Sequence, residues 1–114
     1  MSIEIAKTIL SQIKNSKDEK GVSGTQLIMC WGAHDFCAYP HEENKHYGGI
    51  TFKVQGHYHR GRVRITFNGS DTYDIAFLSV RGKVKHEANG IYCDMLLEVI
   101  DSYVETNRMN DHNE

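Results

Sequence analysis

Apolar residues recur at three- and four-residue spacing through Ile5, Ala6, Ile9, Leu10 and Ile13, the stripe of an amphipathic helix of about three turns. Ser2 stands where an N-cap is expected. The polar run Asn15 to Gly21, with Gly24 following, ends that helix in a surface loop. Leu27, Ile28, Met29, Cys30 and Trp31 form an unbroken apolar run, which predicts a short strand over Gln26 to Trp31 covered on both faces. Trp31-Gly32-Ala33 marks a turn, and a weaker strand runs from His34 to Tyr39, where Pro40 removes a ladder donor. The stretch His41 to Gly49 reads as a loop.

Three stronger strands follow over Ile50 to Val54, Tyr58 to Phe67 and Thr72 to Val80, the last two joined by the hairpin tetrapeptide Asn68-Gly69-Ser70-Asp71. In the middle strand Val63, Ile65 and Phe67 alternate with Arg62, Arg64 and Thr66, so one face is apolar and the other is not. Gly82 breaks the last strand ahead of a short basic extension, Arg81 to His86. Ile91, Met95, Leu96, Val99, Ile100, Tyr103 and Val104 then lie on one helical face, with Asn89 as its N-cap. The expected fold is α+β: an N-terminal helix, an antiparallel meander of four to five strands and a C-terminal helix, with the helices packed on one sheet face. Residues 1–106 make one domain, and 107–114 are expected to be a flexible tail.

At 114 residues, with 39% hydrophobic and 25% charged, the chain is sized for one core, and its composition excludes wholesale disorder and fibrous folds. No apolar run approaches the roughly 20 residues of a membrane span, and Glu4 interrupts what would be a signal sequence. The cysteines Cys30, Cys37 and Cys93 are too few for a disulfide scaffold, which suits a reducing compartment and a cytoplasmic location.

Charge changes the picture more than any motif. Between Lys53 and Lys85, the basic residues Lys53, Arg60, Arg62, Arg64, Arg81, Lys83 and Lys85 outnumber the acidic Asp71 and Asp74 by five, in a chain whose net charge is −2. A basic sheet inside an acidic protein attracts anionic groups, although an Arg64–Asp74 pair across the hairpin would also account for part of it. With Thr51, Lys53, Arg62, Arg64 and Thr66 on the face away from the helices, and Tyr73, Ile75 and Phe77 pointing inward, Ala76, Leu78 and Val80 fall beside the arginines. Arginine next to apolar side chains is the composition of a contact surface. The candidate binding residues are therefore Lys53, Arg62, Arg64, Leu78 and Val80.

Candidate metal chemistry is weaker. Cys30, His34, Cys37 and His41 are all zinc-ligand types in C-x3-H-x2-C-x3-H spacing, but structural zinc sites favour tighter cysteine pairs. Cys30 buried in a strand as a small hydrophobe explains it more simply. His57-x-His59 would place two imidazoles on one strand face, and a solvated strand end is the plainer reading. Neither a cysteine nucleophile signature nor a phosphate loop is present, since Gly21-Val22-Ser23-Gly24 lacks the required lysine. No cofactor is expected.

The segments Gly32-Ala33-His34-Asp35-Phe36, Val63-Arg64-Ile65-Thr66, Asp71-Thr72-Tyr73-Asp74-Ile75-Ala76-Phe77, Arg81-Gly82 and Tyr92-Cys93-Asp94-Met95-Leu96 resemble a family of small uncharacterised proteins encoded by bacteriophages and prophages. The resemblance implies a phage setting and brings no catalytic or cofactor residue. The chain departs from that pattern in a longer Asn15 to Gly24 loop and in carrying Cys30 and His34 where the family has a hydroxyl or a lysine.

These observations lead to the expectation of a non-enzymatic protein that binds a host macromolecule, in host takeover or anti-defence. A host protein or a second copy is the expected partner, and a membrane is not. The alternatives are a nucleic-acid-binding module using the basic sheet face and a small metal-dependent hydrolase.

Overall fold

The computed structural model describes residues 2–17, 21–39, 48–56, 59–68 and 72–106. Helix α1 (Ser2–Lys14) buries Ala6, Ile9 and Ile13, as its stripe requires. A short helix α2 (Gly24–Cys30) follows, and then an antiparallel sheet of β1 (His34–Tyr39), β2 (Gly49–Gln55), β3 (Arg60–Phe67), β4 (Tyr73–Leu78) and β5 (Val84–Ile91). The strands lie in the order β1-β2-β3-β4-β5, a plain meander. A 3-10 turn (Cys93–Met95) leads into α3 (Leu96–Asp101), which continues as a π-helical turn (Ser102–Thr106). The expected α+β architecture is thus present. The loop 40–47, the hairpin tip 69–71 and the tail 107–114 lie outside the described residues.

Three sequence expectations are corrected. The segment Gln26 to Trp31 is helical rather than extended, because Ser23 caps α2 by accepting a hydrogen bond from the Gln26 amide at 3.3 Å. The apolar run then splits by face: Leu27, Ile28 and Trp31 are buried, while Met29 and Cys30 are exposed. The basic stretch near Val84 extends into β5 and pairs with β4, so the sheet has its fifth strand here. That places Asn89 and Ile91 in a strand instead of at the start of the last helix, and Met95 remains 45% exposed.

Between sheet and helices lies a single core. From the sheet come Ile50, Phe52, Val54, Val63, Ile65, Ile75 and Phe77; from α3 and its continuation come Leu96, Leu97, Ile100, Tyr103 and Val104. Trp31, fully buried, stacks on Phe52 with ring centroids 6.5 Å apart and donates its indole N–H to Asp101 Oδ1 at 2.9 Å, tying the end of α2 to α3. Gly61 is the position where β3 cannot carry a side chain. Its φ is +143°, and a Cβ there would meet the Leu78 carbonyl oxygen at 2.1 Å.

Candidate binding face of the sheet

All described helices pack on the inner face, which leaves the outer face to the alternate strand positions. Strand register arranges these in rows: Lys53 opposite Arg62 opposite Leu78, and Thr51 opposite Arg64 opposite Ala76. Arg62 is exposed, and Lys53 and Arg64 are half-buried. The expected alternation of the middle strand is therefore in place, and it delivers Lys53, Arg62 and Arg64 to one surface.

Their partners differ from the expectation. Arg64 does not pair with Asp74; it donates to the Tyr39 hydroxyl at 3.4 Å, with its guanidinium carbon 5.2 Å from that ring's centroid. The register explains this, because Asp74 lies opposite Thr66 and not opposite Arg64. Asp74 is instead held by Asn68 Nδ2 at 3.2 Å and the Gly90 amide at 3.1 Å, both donating to its Oδ1. In a symmetric dimer joined through Asp74, only its second carboxylate oxygen is left to meet these arginines, and Asp71 lies outside the described residues.

Leu78 is on the outer face but only 8% exposed, and Ala76 beside it 5%, so neither offers much contact area. Val80, in the turn after β4, is 79% exposed. At this end of the sheet an open pocket of about 520 Å3 is lined by His34, Lys53, Gln55, Arg60, Arg62 and Val80. Lys53 forms an exposed ion pair with Asp35 at 3.2 Å, whereas Arg60 and Arg62 have no ion-pair partner among the described residues. His34 Nδ1 lies 2.8 Å from the Gly32 carbonyl, which can only accept, so Nδ1 carries the proton. Arg60 was legible as a basic residue in alternation with Arg62, but His34 as a member of this cluster was not, because the β1–β2 register is irregular between His34 and Cys37.

The metal candidates are scattered. Cys30 is exposed on α2 instead of being buried in a strand, Cys37 is exposed on β1, and His41 lies outside the described residues. No group of three or more metal-ligating side chains occurs among the described residues.

His59 is not on a solvated strand end; it is 1% exposed and packs edge-on against Phe77 and Tyr103, at 5.7 and 5.2 Å. The Gly56 amide donates to the His59 carbonyl at 3.0 Å, and His57 and Tyr58 lie outside the described residues. Its Nε2–H donates to the Arg62 carbonyl at 3.3 Å, and its Nδ1 is buried without a partner among the described residues. Burial lowers its pKa, opposed by the bond to Arg62 and reinforced by the Lys85 charge. His86 stacks on the other part of this cluster, 4.9 Å from Tyr103 and 7° from parallel. Burial also raises the Tyr103 pKa, so the phenol stays neutral.

No protein-family model, curated protein or solved structure matches the chain. No helix among the described residues is long and apolar enough to cross a membrane.

Proposed function

We propose that the protein is a non-enzymatic binding module whose outer sheet face takes an acidic protein partner. The observation that carries this reading is the cluster of Lys53, Arg60 and Arg62 around one pocket, with two guanidinium groups left without a carboxylate among the described residues. A cluster of positive charge of this kind favours an oppositely charged surface and speeds its encounter. The exposed Val80 at the pocket wall adds an apolar contact at the same place. The resemblance to phage-encoded proteins favours a host protein as that partner.

Single-stranded nucleic acid is the less favoured ligand. Binding it by stacking needs free aromatic platforms, and Tyr39 on this face is already occupied by Arg64. A glutamate-rich 20-residue peptide and an oligothymidine of equal charge separate the two. The peptide is expected to bind at 100 mM salt and to be lost in the double variant Arg62→Glu with Arg64→Glu. Tighter binding of the oligothymidine, or equal peptide binding by the folded double variant, would overturn the reading.

A further inference from the structure

We infer that the pocket at the end of the outer face binds a phosphomonoester group. This deepens the preceding reading and rests on it, since the pocket is part of the same surface. Arg60 and Arg62 are separated by Gly61 on β3, and the absent side chain at Gly61 leaves the strand close to the Leu78 carbonyl. Both arginines therefore occupy outer positions of one strand, opposite Gln55 and Lys53 of β2. Lys53 is paired with Asp35, whereas the two guanidinium groups have no carboxylate partner among the described residues.

A carboxylate brings one negative charge and would satisfy one of them. A phosphomonoester carries close to two negative charges near neutral pH and three acceptor oxygens, which suits two guanidinium forks at once. His34 stands at the rim, its ring fixed by the Nδ1–H bond to the Gly32 carbonyl, and contributes shape to the pocket rather than a donor to the ester.

The volume of about 520 Å3 is several times what a bare phosphate fills and lies within the range of small-molecule sites. Val80 and the backbone of Val54 and Gly61 supply a wall for the organic part of the ester. The ester is carried either by a phosphorylated side chain of the partner or by a free small molecule, and both present the same dianion.

Phenyl phosphate titrated into the whole protein by isothermal calorimetry, with benzoate as the singly charged control, tests this. Saturable one-to-one binding of phenyl phosphate, competed by inorganic phosphate and at least fivefold tighter than benzoate, is expected. Arg60→Gln and Arg62→Gln should each weaken it roughly tenfold. Val80→Glu, a change in an exposed turn outside the strands, should weaken it as well and guards against a strand variant that misfolds. Repeating the titration with a phosphotyrosine peptide and with AMP identifies the source: tighter peptide binding assigns the group to a protein partner, tighter AMP binding to a small ligand. Benzoate binding as well as phenyl phosphate, or no effect of the Arg60 and Val80 changes, would overturn the inference. If phenyl phosphate fails while the glutamate-rich peptide still binds in an Arg62- and Arg64-dependent way, the inference falls and the binding-face reading stands. The reverse outcome removes the acidic-protein reading and keeps the phosphate pocket.

Discussion

The two faces of one sheet use the same residue types for opposite ends. On the inner face His59 is sealed among Phe77 and Tyr103 with one ring nitrogen lacking a partner among the described residues; on the outer face His34 borders a pocket among cations. Val63 and Ile65 are fully buried, and their immediate neighbours Arg62 and Arg64 face the other way. The core therefore lies on one side and the proposed recognition surface on the other, separated by the thickness of a single strand. The side chains that would answer a partner can change without disturbing the core, and core changes are felt in the fold first.

The sharpest way to break that division is in the core. Leu96→Ala removes a fully buried side chain of α3 and should cost about 2–5 kcal/mol in urea unfolding. A loss below about 0.5 kcal/mol would mean that α3 does not rest on the sheet in solution.

A smaller effect is expected from acid. Because His59 has its pKa lowered by burial, its neutral form stabilises the fold in full above the unfolded value of 6.5. That contribution is lost as pH falls from there through the lower folded value, since the unfolded chain then binds the extra proton. Thermal melts between pH 7.5 and pH 4.5 should show His59→Phe flattening this decline. A slope equal to the parent's would place the acid sensitivity elsewhere in the fold.

The smallest effect belongs to the outer face. Arg62→Ala, at an exposed position without an ion-pair partner among the described residues, should alter unfolding free energy by no more than about 0.5 kcal/mol. A larger loss would mean that Arg62 holds the sheet together rather than waiting for a ligand.

Much of this division was legible in the chain. The alternation Arg62-Val63-Arg64-Ile65 names both faces of β3, and the spacing of Leu96, Ile100 and Val104 names the buried side of the last helix. What alternation cannot tell is who sits opposite whom. The Arg64–Tyr39 contact depends on the register of β1 against β2, which is irregular between His34 and Cys37 and leaves no periodic signal in the sequence. Helix α2 was hidden because five apolar residues in a row fit either period; Ser23 was the one cue, a cap residue just ahead of the run. Strand β5 was hidden for the opposite reason. Register shifts between Tyr73 and Ile75 and between Phe77 and Leu78 break its two-residue pattern, so Val84, Ala88 and Ile91 read as scattered. His59 was misplaced because a histidine beside His57 and Arg60 looks solvated until the packing of Phe77 and Tyr103 around it is seen.

Asp35 has a consequence for the company this sheet keeps. It adopts a left-handed conformation at φ 57° in β1, which among the described strands pairs with β2 alone, and it lies inside the irregular stretch between His34 and Cys37. At the opposite border, Gly90 at φ 67° and the two register shifts disturb β5, which among the described strands pairs with β4 alone. A sixth strand from another molecule needs a regular row of amide and carbonyl groups to zip onto, and neither border offers one over its full length. The meander thus carries its own terminators at both margins, which disfavour edge-to-edge polymerisation.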